Sequence, residues 1–420
     1  MKTRNSTPSW ITGLLDSSLN ILIPVLAILA AFIVSGVLIL AWGSNPIEAY
    51  AALFSGAFGS LNAIATTLTR LTPLIFTGLA VAYGYGSGFF NVGAEGQLFM
   101  GGLAATWVAV TFTDLPGILL IPLCMLAAAA AGSLLALIPG YLKASRGFNE
   151  VLTTLLINYI AIQYFEWALR IDHPTKGVDQ VWTLVNWLGI KDASQPYPKS
   201  AEIPLAAELP SLGNLLNSKF MLGLFGHSQS YLDFISTPAL NRITLGIVLA
   251  IVAIVIMYVI TFKTTTGFRA RAVGVNENAA RYMGIDVKRT IITTALISGS
   301  LAGLAGGIEV LGSSHRVIER FLVDAGFTGI PVALIGQLHP FGVGLGALFF
   351  GALRAGANKM QIISAVPIAV VNVIQAMAIL FAIAGATFDI STRIKKNQMA
   401  KKSRDLHEEI QAKSNEVTHA

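Results

Sequence analysis

Three features of the sequence predict an all-α integral membrane protein of about ten transmembrane helices, some of them broken. Of the 420 residues, 54% are hydrophobic and only 12% charged, about half the charged share of an ordinary soluble domain. The apolar residues gather into runs near the roughly 20 residues that a helix needs to cross a bilayer. Lysines and arginines stand at the ends of those runs and in the tails, as the positive-inside rule requires. The net charge of +6 and pI near 9.3 do not point to nucleic acid, because the cations form no single face. Cys124 is the only cysteine and lies in an apolar run, which leaves neither a disulfide framework nor a thiolate site for metal.

Taken in order, a cytoplasmic segment 1–18 carries Lys2 and Arg4. Leu19 to Trp42 follows, too long for a signal-peptide core, and is read as a retained first anchor. Spans are expected near 61–83, 95–113, 117–142, 149–169, 243–262 and 290–311, then the short Phe327–Leu338, 341–358 and 365–385. If both termini and the loops 143–148 and 263–289 share the cytoplasmic side, the crossing number is even. Ten crossings satisfy that condition, so Phe327–Leu338, bracketed by Gly326, Pro331 and Pro340, is expected to cross as a short or broken helix. The transmembrane part therefore runs 19–388, with an external insertion at 170–242 that begins among Trp167, Trp182 and Trp187. That insertion reads either as a cap or as a docking surface. The tail 389–420, with Lys395, Lys396, Lys401, Lys402 and Arg404, reads as a cytoplasmic helix or disordered end.

Three stretches carry the chemistry. In Gly267–Arg289 the bases Arg269, Arg271, Arg281, Lys288 and Arg289 outnumber Glu277 and Asp286. A helix of about two turns is expected there, with Asn276 as N-cap, Glu277 at the positive end of the dipole and Gly284 as a left-handed stop. The small pair Ala279 and Ala280 beside Arg281 and Tyr282 would give a low surface for a partner's groove, though a plain connector can have the same caps. In Tyr83–Gly102, glycines are expected to interrupt the helix, and a broken helix offers unpaired backbone groups to a ligand. Phe89, Phe90, Asn91, Glu95 and Gln97 sit at that break, which can equally be a tight turn. In Phe148–Tyr164, Glu150, Thr154 and Asn158 form one polar stripe that must face the bundle interior, either on a neighbouring helix or on a pathway. Glu309, and Asn372 with Gln375, repeat that situation.

Gly299, Gly303 and Gly307, Gly342 and Gly346, and Ala347, Gly351 and Ala355 are small-residue packing faces. No GxxxxGK[ST], GxSxG or HExxH occurs, so neither an ATPase site, a hydrolase site nor a metal site is expected. No cofactor is called for.

The ordered runs FFNVGAEGQLFMGG, FNEVLTTLLINYIA, GFRARAVGVNENAARYMGI, LAGGIEVLG, GFTGIPVALIG, HPFGVGLGALFFGALRAG and VVNVIQAMAILF resemble the permease subunits of bacterial ABC importers for nucleosides and simple sugars. That family of binding-protein-dependent permeases also holds the ribose and branched-chain amino-acid permeases. The resemblance covers about Leu61 to Phe388, and Asn91, Gly93, Glu95, Gly96 and Gln97 are similar to the nucleoside branch. It implies a type II-like importer fold in the inner membrane, with an ABC ATPase subunit that uses the ATP and a second, related permease chain. A periplasmic or lipoprotein binding protein, a small-molecule substrate and membrane lipid complete the implied partners, without nucleic acid. Arg269, Arg271, Gly274, Asn276, Glu277, Ala279, Ala280 and Gly284 would then couple to the ATPase. Phe89, Phe90, Asn91, Glu95, Gln97, Asn158, Glu309, Asn372 and Gln375 would line the substrate pathway, with rings to stack a base and amides to read its edges. An ion-coupled secondary transporter of a small polar solute is the alternative.

Overall fold

The computed structural model describes residues 26, 28–171, 189–192, 194, 196–217, 237–319, 321–322 and 324–381. The expected segment 1–18, Trp182, Trp187 and the tail 389–420 lie outside them. The described residues are helical apart from turns, irregular segments and three isolated bridges. They belong to two units, Ile47–Ile368 and the pair of terminal segments Met1–Pro46 and Ala369–Ala420. In the terminal unit, helices Ile28–Ala41 and Ala369–Phe381 are apolar.

The larger unit is built on α1 (Pro46–Phe58), α2 (Leu61–Gly86), α3 (Ala94–Thr111), α4 (Gly117–Arg146), α5 (Glu150–Ala168), α6 (Leu245–Lys263), α7 (Thr265–Val275), α8 (Glu277–Tyr282), α9 (Val287–Glu309), α10 (Ala325–Ile335) and α11 (Pro340–Ser364). Five helices, α2, α4, α6, α9 with its extension, and α11, are by themselves long and apolar enough to cross a bilayer, or six if Ile28–Ala41 and α1 count as one interrupted span. The structure thus supports an all-helical membrane protein without reaching the expected ten. Helices α3 and α5 are not among those five, and α3 buries Glu95 and Gln97 where a lipid-facing span has apolar side chains.

Helix α9 is the packing centre, and its glycines explain why. A β-carbon on Gly303 would lie 2.2 Å from the Ala128 carbonyl oxygen of α4, and Gly101 of α3 meets the same residue from the other side. Gly299 meets Gly132 of α4, and Gly306 meets Leu98 of α3. Three backbones therefore pack at a separation that no side chain permits. Helix α1 crosses α11 in the same way, through Gly56 and Gly356.

One end of the unit is basic. There α4 finishes with Lys143 and Arg146 before Gly147 at φ 68°, α6 finishes with Lys263, and α7 and α8 follow. The expected loop 263–289 is thus largely helical. In α7, Gly267, Ala270 and Val273 are buried at three-residue spacing, an amphipathic pattern hidden by the arginines between them. At the opposite end, α9 continues through one wider turn, Val310–Ser314. The chain then enters the interior as an irregular arm that carries buried Phe321 between Phe99 and Phe165. Helix α10 starts from this arm, and His339 beyond its end meets Tyr258 and Phe262 near the basic end of α6. The segment therefore runs toward the basic end as a half-length helix, about 16 Å by its rise, from an arm in which Val317 and Phe321 are buried while Ile318, Glu319 and Asp324 are exposed.

The described part of the 170–242 insertion folds over the opposite end. Lys199 bridges to Ile318 and Ser211 to Thr244, and Glu202 pairs with Arg316 at 2.9 Å. Ile190, Ile203 and Leu209 are buried beneath it, so this part is a cap on the chain that follows α9.

Replacing Gly303 by Val is expected to force α3, α4 and α9 apart and to lower stability by about 1–3 kcal/mol or more, the usual penalty of overpacking. Thermal unfolding of the detergent-purified chain measures it; an unchanged midpoint would show that the seam is slack.

Candidate functional site

The polar residues of the second and third stretches come together where α3 begins. Glu95 lies in the first turn of α3, and its carboxylate lies against the first turn of α10. Oε1 accepts from the Asp324 amide at 2.7 Å, and Oε2 accepts from Gly326 at 2.5 Å and Phe327 at 3.2 Å. The first amides of a helix lack intrahelical partners and carry the positive end of its dipole. A carboxylate is therefore the fitting cap, supplied here from 229 residues away. Gly326 makes the approach possible, since a β-carbon there would lie 2.3 Å from the Glu95 amide nitrogen. From α2, Thr77 also donates to the Ala325 carbonyl.

A second cap in trans secures α3 itself. The Gly96 amide donates to Asn158 Oδ1 on α5. The Val92 amide donates to Thr154 Oγ1 at 3.3 Å, and that hydroxyl donates in turn to the Glu150 carbonyl. The predicted stripe of α5 thus faces a neighbouring helix start. Asn91 and Gln97 exchange amide hydrogen bonds at 2.7 and 3.0 Å, and Asn91 Nδ2 also donates to Ser298 on α9 at 2.9 Å. Ser298 donates to the Ala80 carbonyl of α2, so one buried network pins the 87–93 turn to α2, α3 and α9.

These contacts correct several expectations. The helix does break within Tyr83–Gly102, and the break is a tight turn: α2 ends at Gly86, the chain turns at Gly88 with φ 76°, and α3 starts at Ala94. The first amides of α3 and α10 are occupied by Asn158 and Glu95 instead of being open to a ligand. Asn91, Glu95, Gln97 and Asn158 are each at most 3% exposed. Phe89 is fully buried among Ala136, Val273, Ala280, Val287, Ile291 and Ala295, while Phe90 is half-buried edge-on to Tyr85. Asn372 is exposed and Gln375 half-buried in the terminal unit, and Gln375 Nε2 is buried without a partner among the described residues.

The α7–α8 pair rests on the same turn. Gly274 lies against Gly86 and Gly88, where a β-carbon would come within 2.4 Å of the Gly86 carbonyl oxygen. Asn276 caps α8 by accepting from the Ala279 amide at 3.0 Å, and Gly284 ends the turn with φ 78°. Lys143 donates to the Gly88 carbonyl, pairs with Glu150 at 2.8 Å and stands 4.0 Å from Glu277. Its place at this hub escaped the sequence reading, though a cation in the last turn of α4 seven residues before a carboxylate was a usable signal. Arg271 sits 4.9 Å from the Phe262 ring centroid, a cation–π distance, whereas Arg269 is exposed. Ala280 is the second correction: it is wholly buried as the foot of α8, and Ala279 is exposed beside it. The outward surface belongs to Val275, Tyr282 and Met283, exposed by 88%, 94% and 63%.

Cavities open at both ends. At the capped end, Arg70, Asn241, Arg242, Glu309 and His315 surround about 500 Å³, with Glu309 accepting from Ser314 Oγ at 3.2 Å. At the basic end, Tyr83, Ser87, Thr261, Phe262, Arg271 and Gln337 line about 290 Å³. Of the nine expected pathway residues, Glu309 is the one that lines a cavity described here; Arg70, Asn241 and His315 are additions that only the fold brings beside it.

A family model described as branched-chain amino acid transport system / permease component matches residues 63–383. The chain belongs to this family of permeases. The permease is 36% identical over 363 residues to a guanosine ABC transporter permease of Bacillus subtilis, covering 86% of this chain and 92% of the relative. It is 36% identical over 365 residues to a glucose ABC transporter permease of Haloferax volcanii, covering 87% of each. With a nucleoside ABC transporter permease of Lactococcus lactis subsp. cremoris it shares 33% over 371 residues, 86% of this chain and 90% of that one. No solved structure matches the permease. The family match spans α2 to α11, and so includes every helix start, turn and cavity of the site.

Replacing Glu95 by Ala leaves three helix-start amides of α10 without an acceptor. A loss of about 3 kcal/mol or more is expected, at about 1–3 kcal/mol for each unpaired buried group. Glu95→Gln, which keeps one acceptor oxygen, is expected to lose less. Thermal unfolding in detergent ranks the two, and equal midpoints for Ala and wild type would mean that the cap does not hold α10.

Proposed function

We propose that the chain is the permease subunit of an ATP-driven importer that carries a nucleoside or simple sugar across the bacterial inner membrane, by alternating access coupled to partner ATPases. The observation that carries this reading is the exposed crest of Val275, Tyr282 and Met283 on a short helix whose other face is locked into the protein by Ala280 and Phe89. Large apolar side chains exposed to this degree mark an interaction surface. A crest on a rigid foot can pass force inward. The path runs from α8 through Phe89 and Lys143 to the 87–93 turn, then to α3 and, by Glu95, to the half-helix α10.

In this reading the end that collects Lys143, Arg146 and Lys263 is the cytoplasmic one. The crest then meets an ABC ATPase, with Arg269, Gly274, Asn276, Glu277, Ala279 and Gly284 shaping or flanking the contact and Ala280 anchoring it from below. The permease itself uses no cofactor; ATP is consumed in the partner. The capped end faces outward, where the residues over α9 meet a binding protein, and a second permease chain completes the pathway. Arg70, Asn241, Glu309 and His315 offer charged and neutral hydrogen-bonding groups to hydroxyls, the chemistry that ribose and a free sugar share. The relatives named for guanosine, nucleoside and glucose transport agree with that class.

Labelled guanosine and labelled glucose are to be offered to cells that express the chain with its ATPase, second permease and binding protein. Uptake of one of them that stops when the ATPase is inactivated is the expected result; uptake indifferent to the ATPase would instead establish an ion-coupled carrier. Tyr282→Glu with Met283→Glu is expected to cut co-purification of the ATPase at least tenfold while the thermal midpoint of the isolated chain stays put, since both side chains are exposed. Arg70→Ala and Glu309→Gln are expected to reduce uptake without changing ATPase association, and normal uptake in both would remove the outer cavity from the pathway.

A further inference from the structure

We propose a separate binding site for a phosphate-bearing anion at the basic end, seated between α7 and the first turns of α9. A cavity of about 250 Å³ lies there, lined by Arg269 of α7, Asp286, Arg289 and Thr294 of the α9 start, and Tyr83 of α2. That is room for several waters or a small oxyanion, given roughly 30 Å³ for one water in the liquid.

Two buried hydroxyls point to the ligand. Tyr83 is 5% exposed and Thr294 1% exposed, yet the Tyr83 hydroxyl and Thr294 Oγ1 have no hydrogen-bond partner among the described residues. A buried hydroxyl left unpaired is destabilising. Both residues line the same cavity. The neighbouring threonines are already engaged: Thr290 donates to the Asp286 carbonyl at 2.7 Å and Thr293 to the Arg289 carbonyl at 2.8 Å. The buried hydroxyls left without a partner among the described residues of this cavity are therefore those of Tyr83 and Thr294.

Charge selects the sign of the ligand. Arg269 and Arg289 line the cavity with a single carboxylate, Asp286, and that carboxylate already accepts from the Arg289 amide at 3.0 Å as the N-cap of α9. The start of this 23-residue helix adds the positive end of its dipole. Guanidinium groups bind tetrahedral oxyanions through paired hydrogen bonds. A phosphate group in this place bridges α7, which carries the α8 crest, to α2 and α9. Its source is either the headgroup of an anionic lipid at the membrane boundary or a soluble phosphate.

The test uses the full chain in lipid nanodiscs and reads the thermal midpoint. One arm compares discs of phosphatidylcholine with discs that also contain phosphatidylglycerol; the other titrates inorganic phosphate into phosphatidylcholine discs at fixed ionic strength, with chloride as control. Stabilisation in at least one arm is expected, the first alone assigning the site to a lipid headgroup and the second to a soluble anion. In Arg269→Ala with Arg289→Ala, and separately in Tyr83→Phe with Thr294→Val, the midpoint shift is expected to shrink or the half-saturating phosphate to rise at least tenfold. No shift in either arm overturns the proposal. So does a wild-type response in both double variants.

Discussion

A charge inside a membrane protein is tolerable only if donors surround it, and the Glu95 carboxylate meets that condition with three backbone amides of α10. The arrangement solves two problems at once. Helix α10 starts with amides that lack intrahelical partners, and Glu95 places a buried carboxyl group that needs partners in the first turn of a neighbouring helix. Neither feature is stable without the other. Helix α3 in turn is held by Asn158 at its own first turn, so a chain of trans-caps runs α5 to α3 to α10. The starts of α3 and α10 are each fixed by a side chain of another helix, which is a stricter constraint than apolar packing alone supplies.

The same junction joins the basic end to the interior. The 87–93 turn receives Lys143 on the Gly88 carbonyl, Gly274 against its glycines and Phe89 within the core beneath α8. Displacing α8 therefore displaces the turn, because no soft layer lies between them. Glycine contacts across α3, α4 and α9 make the body behind the turn equally stiff. A body packed backbone to backbone transmits a push as a rigid shift, since close-packed interiors compress little.

What the sequence made legible is what depends on near neighbours. Asn276 and Gly284 cap α8 through contacts within a few residues, and the spacing of Gly299, Gly303 and Gly307 announces a close packing face. The short helix Ala325–Ile335 is legible from the apolar run between Gly326 and Pro340. What stayed hidden is long in range or short in period. Glu95 and Asn158 were rightly marked as polar groups needing partners, but their partners lie 229 and 62 residues away, and a conduit satisfies the same sequence as a cap. Ala280 pointed the wrong way because a helix of six residues has too few turns for periodicity to tell its buried face. Helix α7 was read as a loop because its arginines mask the buried Gly267, Ala270 and Val273.

The arm before α10 shows why the cap must be strong. His315, Leu322 and Asp324 adopt left-handed backbone at φ 52°, 49° and 64°, a conformation that costs a non-glycine residue about 1–3 kcal/mol. Asp tolerates it better than Leu, so most of the strain falls on His315 and Leu322. Against this stand the three hydrogen bonds to Glu95 and the Arg354 guanidinium, which donates to Thr328 Oγ1 at 2.7 Å and to the Asp324 carbonyl. A strained arm held by these bonds has its conformation set by where Glu95 sits, and Glu95 sits where the 87–93 turn places the start of α3.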